Sequence, residues 1–440
     1  MAFAAVGTLS LSVPPLSRAV SPALATVLAP APFLVVAFLA LFVIERGTVF
    51  ELFARPGDRR DRRLYGLAGF TLAAAALALL SVRFGLPAGA FVGTVLLLSW
   101  GNVGGHAVRS LRDEPILATG GFVLAGFLAG AFGLYAGSAL VGTTLEWPLV
   151  AFLAASGSLL GALLRAVLFE RDDPLVIVSV GLLVWLFFDL PLEITTARIA
   201  VALAVTIVLG YVSYALETAS LPGMLTGVFL GLLTIVLGDY GWFFMLVTFF
   251  GLGGLASKFR YEKKIRRGIA EGNQGARGSR NVLANSLVGL VAVLAAAASP
   301  SHTSLPPTLF LFAFAGSVAA AMSDTLSSEL GGLFDGPRLV TTFERVEPGT
   351  DGAVTWQGEL AGLLGAVVVA LIGVGMFDAV SAAGAAIVVA AGVVGMTVDS
   401  FLGATLEGWL LENEGVNLAA TFSAALAAAG LAVAAGIVQL

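Results

Sequence analysis

Two carboxylates stand among hydroxyl groups where an apolar run ends, in the segment AAAMSDTLSSELGG at residues 319–332. If this segment is helical, one face carries Asp324, Ser327, Ser328 and Gly331, and Glu329 lies to the side of it. An uncompensated carboxylate costs about 2.5–3.5 kcal/mol at the centre of a bilayer and less near its edge. A Mg²⁺ ion held by one or two carboxylates and by phosphate oxygens would offset that cost. The alternative is a helix end whose charged side chains simply reach water.

A second acidic group follows in TVDSFLGATLEGWLLENEGVN, residues 397–417. Asp399 and Glu407 are separated by two four-residue steps, so a helix places them on broadly the same face. We predict that Asp324 and Asp399 bind a divalent metal, and that Glu329 and Glu407 complete a set of four catalytic carboxylates. Such a set suits a metal-bound nucleotide, whose reactions depend mostly on positioning and charge neutralisation.

Cations and amides lie in the connection SKFRYEKKIRRGIAEGNQGARGSRNVLANS, residues 257–286. Lysine and arginine in this loop suit polyphosphate or anionic headgroups, because guanidinium groups pair with phosphate oxygens. Asn281 and Asn285 are four residues apart and share one helix face where the chain re-enters an apolar segment. The alternative for the basic part is a loop that only sets membrane orientation.

The segment PRLVTTFERVEPGTDGAVTWQGE, residues 337–359, predicts an anion-binding turn. Glycines, threonine hydroxyls and backbone N–H groups around residues 349–352 can form an anion-binding concavity. A solvated hairpin has the same composition and remains the alternative. A Walker A sequence is missing from the chain, so this turn is not a P-loop.

The composition requires these groups to be placed by membrane helices. The 440 residues are 58% hydrophobic and only 12% charged, against about 25% charged residues in soluble domains. Long apolar runs without strand-like alternation predict an all-α, polytopic helical membrane protein. The chain has no cysteine, which excludes a thiolate metal site, and its two histidines argue against a His-rich metal centre. No basic stripe with interleaved aromatic residues is present, so we expect no nucleic-acid partner.

We predict about 14 transmembrane helices. Their approximate bounds are 30–45, 64–83, 86–105, 117–142, 147–168, 174–190, 198–216, 221–238, 241–257, 282–299, 307–323, 357–377, 380–398 and 417–438. The residues up to Ser21 are interpreted as a short tail, compatible with an interfacial position, rather than as a removed signal peptide. We divide the chain into an N-terminal transmembrane domain, 1–197, and a catalytic transmembrane domain, 198–440.

The basic residues predict the orientation, because cytoplasmic loops carry the excess of Lys and Arg. With both termini outside, all of the 23 Lys and Arg residues except Arg18, Arg83 and Arg198 fall on the cytoplasmic side. Every polar motif described above then lies at the cytoplasmic face. The arginine-rich, lysine-poor composition suggests a prokaryotic plasma membrane.

Five motifs in order resemble those of the DUF92 membrane family. They are GSRNVLANS, SDTLSSELG, PRLVTTFERVEPGTDGAVTWQGELAGLLGA, VDSFLGATLEG and NEGVN, and the resemblance covers about residues 200–440. That family includes the plant phytyl-phosphate kinase of tocopherol synthesis and the animal transmembrane protein 19. The resemblance implies phosphorylation of a prenyl monophosphate to the diphosphate by a nucleoside triphosphate, with CTP as the expected donor.

The first half resembles CTP-dependent polyprenol kinases such as dolichol and phytol kinases. The similar segments are LLLSWGNVGGHAVRS, LATGG and GALLRAVLFERDDPLVIVSVGLLVWLF. Asn102 stands where that family has Asp, Arg165 where it has Glu, and its Lys–Glu loop is reduced to Thr119-Gly120-Gly121. These departures predict a degenerate, inactive copy. The same order of motifs in both halves is compatible with a common origin, although no clean residue-level repeat is present.

The sequence therefore predicts an integral membrane isoprenoid-phosphate kinase that uses Mg²⁺. Its partners would be the isoprenoid phosphate and the surrounding lipid, and its oligomeric state is left open. The predicted substrate- and nucleotide-binding residues are Lys258, Arg280, Asn281, Asn285, Ser328, Arg338, Thr341, Thr342, Gly349, Thr350, Gly352 and Asn417. A phosphate monoester is already a nucleophilic oxyanion, so no general base is required.

Three alternatives stay open at this point. A CTP-dependent cytidylyltransferase making a CDP-lipid would use the same metal and nucleotide but would release pyrophosphate. A lipid or isoprenoid transporter or flippase commonly has two similar halves, but it predicts polar residues at mid-span. A non-catalytic scaffold would tolerate loss of Asp324 and Asp399.

Overall fold

The computed structural model describes residues 2–168, 173–270 and 278–440 of the chain. Parts of two sequence motifs, residues 169–172 of the first half and 271–277 of the basic loop, lie outside the described residues. The chain divides into two compact units, Met1–Ile199 and Ala200–Leu440. The roles that we assign to the two predicted domains stay predictions.

The first unit consists of helices and short helical segments in the described part of the chain. They are α1 (Ala2–Gly7), a 3₁₀ turn (Thr8–Ser12), α2 (Val13–Ala19), α3 (Pro22–Leu28), α4 (Ala31–Phe42), α5 (Thr48–Phe53), α6 (Pro56–Asp61), α7 (Tyr65–Arg83), α8 (Ala88–Leu111), α9 (Pro115–Leu140), α10 (Trp147–Val167) and α11 (Asp173–Asp189). The helix α12 (Thr196–Ala215) begins at the end of this unit and continues into the second.

Glycines bring α8 and α9 together along most of their length. A Cβ added to Gly133 would lie 2.8 Å from Cα of Gly93, and one added to Gly104 would lie 2.4 Å from the carbonyl oxygen of Gly121. Small residues allow such close approach of helix backbones in a membrane, where packing replaces the hydrophobic effect. The pair therefore forms the tightly packed centre of the first unit.

The second unit also consists mainly of helices, and its described residues contain one small β-hairpin. Its further elements are α13 (Leu221–Leu233), a π-helical turn (Thr234–Gly238), α14 (Tyr240–Lys258), α15 (Tyr261–Arg267), α16 (Ser279–His302), α17 (Pro307–Gly331), β1 (Arg338–Leu339), β2 (Ala353–Val354), α18 (Trp356–Met376), α19 (Ala382–Thr405) and α20 (Asn413–Ala434). The strands pair antiparallel, with Arg338 opposite Val354 and Leu339 opposite Ala353.

The helix α17 is the centre of the second unit, and it contacts α14, α16, α18, α19 and α20. Its buried face is built from small residues, including Ala319, Ala320 and Ala321, each at most 1% exposed. The facing helix α18 carries Gly358 and Gly362 four residues apart, and a Cβ on either would lie 2.7 Å from a carbonyl oxygen of α17. This small-residue contact fixes α17 closely against its neighbours.

The all-α membrane fold is confirmed, and each of the predicted spans corresponds to helix in the described residues. Thirteen helical segments there are long and apolar enough to cross a bilayer, while Pro174–Asp189 is apolar but shorter. The described residues up to Ser21, which we interpret as a short tail, are mostly helical and partly buried. That stretch forms α1, the 3₁₀ turn and α2, with Ser10 and Val13 at 0% and 1% exposure.

Candidate active site

A polar cleft of about 420 Å³ lies at one end of the second unit. It is formed by the last turns of α17 and α19, the first turns of α16 and α20, and the turn of the β1–β2 hairpin. Among its lining residues are Asn281, Asn285, Asp324, Thr325, Ser327, Ser328, Glu329, Gly349, Thr350, Asp351, Gly352, Asp399, Ser400, Gly403, Glu407, Asn413 and Asn417. Segments more than 130 residues apart in sequence thus converge on one site.

Asp324 and Asp399 meet in this cleft. Their carboxyl groups lie within hydrogen-bonding contact, although one is on α17 and the other on α19. Oδ2 of Asp399 is buried without a hydrogen-bond partner. Two adjacent carboxylates with an unsatisfied oxygen form an incomplete arrangement, since buried polar atoms are nearly always paired. A cation or a shared proton would complete it.

Close helix packing sets the distance between these two carboxylates. One turn before Asp399, a Cβ added to Gly395 would lie 2.2 Å from Cβ of Ala320, which is one turn before Asp324. The helices α17 and α19 therefore touch through a glycine and an alanine directly behind the acidic pair. The two carboxylates are held at the end of this contact.

The hairpin turn closes against the end of α19. Gly352 has a φ of +72°, and a Cβ there would lie 2.4 Å from Cβ of Ala404 and 2.4 Å from the carbonyl oxygen of Ser400. Only glycine satisfies both the left-handed backbone and this approach. On the other side, Thr355 caps α18 and its hydroxyl donates to the carbonyl oxygen of Gly331 at 3.3 Å. The turn is thus attached to both α17 and α19.

Glu407 lies just beyond α19, opposite the hairpin turn. Burial raises the pKa of its carboxyl group, and the nearby charges of Asp351 and Glu414 raise it further, while a hydrogen bond from Asn413 opposes the shift. Glu407 and Asp351 both line the cleft. The negative charge of the site therefore extends from the Asp324–Asp399 pair to its outer edge.

Amide groups form another wall. Asn417 donates from Nδ2 to Oδ1 of Asn413 at 2.8 Å, and Asn285 donates from Nδ2 to the backbone oxygen of Asn281 at 3.0 Å. The Oδ1 atoms of Asn281 and Asn285 are buried without a hydrogen-bond partner. Both are acceptors available to a bound molecule that carries donors, such as a base or a hydroxyl group.

Glu329 has a different partner from the one that we predicted. Its carboxylate forms a buried ion pair with Lys264 of α15 and accepts a hydrogen bond from Ser257 at 2.8 Å. Lys264 also donates to the carbonyl oxygens of Ala256 at 2.7 Å and Ser257 at 3.2 Å. Glu329 lines the cleft, but its charge is already balanced, so the structure separates it from the Asp324–Asp399 pair.

Five predicted binding residues are not among those that line the cleft, namely Lys258, Arg280, Arg338, Thr341 and Thr342. Arg280, Arg338 and both threonines are exposed, and Arg338 donates to the carbonyl oxygen of Phe343 at 2.6 Å within the hairpin. The remaining predicted residues, which are Asn281, Asn285, Ser328, Gly349, Thr350, Gly352 and Asn417, do line it. The roles of all these residues stay predictions.

From the sequence, Lys264 and Glu359 carry no predicted individual role. Lys264 lies in a basic run that is typical of orientation signals. Glu359 belongs to α18, where its carboxylate lies in hydrogen-bonding contact with Ser327, a residue that lines the cleft. An acidic residue in the first turn of an apolar helix was the available signal for Glu359.

The donor set fits a hard cation bound by few protein ligands. No group of three or more Asp, Glu, His or Cys residues with metal-binding geometry occurs in residues 2–168, 173–270 and 278–440. The Asp324–Asp399 pair supplies two carboxylates, and Mg²⁺ typically takes one or two and keeps waters or phosphate oxygens at its other positions. The described cleft-lining residues include no Lys or Arg.

These observations define a class of protein, a polytopic helical membrane protein with an acidic, amide-lined cleft at one end of its C-terminal unit. The family model described as integral membrane protein DUF92 matches residues 204–425, half of the chain. The chain belongs to this family, as its sequence motifs predicted. The family match covers the second unit and leaves the first unit outside it.

Several proteins are similar to about half of this chain. An uncharacterized membrane protein of Methanocaldococcus jannaschii is 36% identical over 232 residues, which is 52% of this chain and 91% of that protein. The chloroplastic protein VTE6 of Arabidopsis thaliana is 31% identical over 205 residues, 45% of this chain and 61% of that protein. The protein PGR of Arabidopsis thaliana is 31% identical over 229 residues, 48% of this chain and 79% of that protein. No solved structure matches the chain at a significant level.

Proposed function

We propose that the chain is an isoprenoid-phosphate kinase of the prokaryotic plasma membrane, with its cleft at the cytosolic face. It would transfer the γ-phosphoryl group of a nucleoside triphosphate, with CTP as the expected donor, to a prenyl monophosphate. The observation that carries the proposal is the contact between Asp324 and Asp399 inside a 420 Å³ cleft bordered by amides. Membership of the DUF92 family and the likeness to VTE6 support it.

In this reaction an oxygen of the prenyl phosphate attacks the γ-phosphorus, and the bond between that phosphorus and the β–γ bridging oxygen breaks. The products are a prenyl diphosphate and a nucleoside diphosphate. Because the attacking group is already an oxyanion, the chain does not have to remove a proton. Its task is to hold two highly charged phosphates in line.

Different residues of the cleft would contribute to different parts of this task. Asp324 and Asp399 would hold Mg²⁺, which when bound neutralises phosphate charge. The backbone N–H groups and the hydroxyl of the Gly349–Gly352 turn would orient phosphate oxygens. The unpaired Oδ1 atoms of Asn281 and Asn285 would accept hydrogen bonds from the base or ribose, and Asn417 would fix the opposite wall.

The test uses purified protein in detergent with geranylgeranyl phosphate, Mg²⁺ and each nucleoside triphosphate in turn. The wild type should form geranylgeranyl diphosphate and the nucleoside diphosphate. The Asp399→Asn variant should lose activity by roughly 10²–10³-fold, the loss typical of removing one electrostatic stabiliser. Asp378→Asn is the matched control, because Asp378 is exposed and lies in the connection between α18 and α19. The cleft residues of α19 lie at the other end of that helix.

Three outcomes would contradict the proposal. Release of pyrophosphate would identify a cytidylyltransferase, because attack would then occur at the α-phosphate. Absence of turnover together with Asp324- and Asp399-dependent lipid movement in liposomes would identify a transporter. Unchanged isoprenoid diphosphate levels in cells carrying Asp399→Asn would favour a scaffold.

A further inference from the structure

A second cavity of about 280 Å³ lies in the C-terminal unit, between α12, α13, α14 and the first turn of α16. Its lining residues run from Thr206 of α12 to Leu216 just after the helix, which corresponds to about 15 Å at 1.5 Å per helical residue. The side facing out of the protein is formed by residues such as Leu216 and Leu255, both 62% exposed. The cavity is therefore an elongated groove that opens on the apolar surface of the unit. We call it the helix 12–14 groove.

The walls of the helix 12–14 groove are mostly apolar. Three hydroxyl groups border it, and each donates to a nearby backbone carbonyl: Thr206 to Ala202 at 2.6 Å, Ser213 to Gly210 at 2.8 Å and Thr218 to Ser213 at 2.9 Å. Their hydrogen-bonding capacity as donors is already used. The other lining residues are apolar or glycine. Such a groove favours an apolar chain over a charged headgroup, because none of its described lining side chains is charged.

The groove and the polar cleft share two helices. On α16, Val282 lines the groove while its neighbours Asn281 and Asn285 line the cleft. On α14, Leu255 lines the groove, and Ser257 two residues later donates to the cleft residue Glu329 at 2.8 Å. The two cavities thus begin within one helical turn of each other. A molecule with a phosphate at one end and a hydrocarbon chain at the other matches this arrangement.

We propose that the helix 12–14 groove binds the isoprenoid chain of the substrate and sets the chain length that the cleft accepts. This inference rests on the proposed function, because it takes the molecule whose phosphate occupies the cleft to be a prenyl phosphate. The groove is open to the lipid, so the chain enters sideways from the bilayer. The substrate's phosphate then reaches the cleft without crossing an apolar layer.

Two glycines allow the groove to be filled without disturbing helix packing. A Cβ added to Gly227 of α13 or Gly251 of α14 would meet no atom within 4 Å, although both residues line the groove. A leucine at either position therefore occupies space that the substrate chain would use. Gly430 of α20 provides the matched control, since it is an exposed helical glycine with the same open surroundings outside the groove.

The experiment compares Gly227→Leu, Gly251→Leu and Gly430→Leu with two acceptors, geranylgeranyl phosphate and dimethylallyl phosphate. Gly227→Leu and Gly251→Leu should raise KM for the long acceptor at least about tenfold, the discrimination a few carbon atoms provide in an apolar pocket. Both should leave the short acceptor unchanged, and Gly430→Leu should alter neither. Equal effects on both acceptors, or no effect, would overturn the inference.

Photolabelling separates this inference from the proposed function. A geranylgeranyl phosphate analogue with a diazirine at the end of its chain is irradiated on the wild type, and the labelled peptides are identified. Labels on α12, α13 or α14 that disappear in Gly227→Leu support the groove even if no turnover is observed. Labels elsewhere overturn the groove even if the kinase activity is present.

Discussion

The buried ion pair between Lys264 and Glu329 predicts a large loss of stability when one partner is removed. Lys264 is 1% exposed and Glu329 is 9% exposed. In Lys264→Met the side chain keeps its apolar stem, but Glu329 loses its countercharge, and Glu329 and two backbone carbonyls each lose one hydrogen-bond donor. Removing one partner of a buried pair costs about 3–5 kcal/mol, because the other charge stays buried and unpaired.

This free energy corresponds to a shift in melting temperature of roughly 6–20 °C, at about 2–4 °C per kcal/mol for a unit of this size. The measurement is the folded fraction of detergent-solubilised protein that remains after stepwise heating, read by size-exclusion chromatography. The double variant Lys264→Met/Glu329→Gln should regain much of the loss, because it leaves no unpaired charge and the introduced amide oxygen can still accept from Ser257.

The control is an exposed pair in the first unit. Arg59 and Glu51 are 3.1 Å apart with side chains 51% and 60% exposed, so Arg59→Met should change stability by only about 0–1 kcal/mol. If Lys264→Met and Arg59→Met both melt at the wild-type temperature, the Lys264–Glu329 pair does not hold α15 against α17. If Lys264→Met stays stable but loses turnover, Lys264 acts on the substrate instead.

Two other predictions concern the edge of the cleft. Gly352→Ala should displace the hairpin turn and weaken nucleotide binding measured by calorimetry, because its Cβ would lie 2.4 Å from Cβ of Ala404. Gly408→Ala, also at positive φ but with nothing within 4 Å, should cost only about 1–2 kcal/mol. The pKa of Glu407 is raised, so the folded state binds its proton more tightly than the unfolded state does. The free energy of unfolding of the wild type should therefore fall as the pH rises from the ordinary carboxyl range through the raised pKa. Glu407→Gln should remove that fall and be the more stable protein at neutral pH, and parallel curves for the two proteins would contradict this explanation.

The sequence was sufficient for the fold class because membrane helices are specified locally. A run of about 20 apolar residues must be helical in lipid, so each long span could be predicted without tertiary information. The short helices before Pro22 escaped prediction because they are not long enough to give that signal. Their packing against the rest of the first unit is a tertiary property.

The juxtaposition of Asp324 and Asp399 was also predictable, whereas the full set of residues that line the cleft was not. Asp324 and Asp399 were identifiable because carboxylates at the ends of apolar helices require compensation. The same rule grouped Glu329 with them, but its compensation comes from Lys264, whose position in a basic run has another explanation. Arg338, Thr341 and Thr342 were misplaced relative to the cleft because local sequence does not show which face of a short hairpin turns inward.

The contact between Gly395 and Ala320 has a consequence for how such a site can change over evolutionary time. Since each residue lies one turn before a cleft aspartate, adding a single methyl group at position 395 would separate the two helices and widen the gap between Asp324 and Asp399. If the pair holds Mg²⁺ as proposed, a substitution at position 395 would alter the ion that fits without contacting it. For the proposed Mg²⁺ site, the spacing of the two helix backbones would matter as much as the two carboxylates themselves.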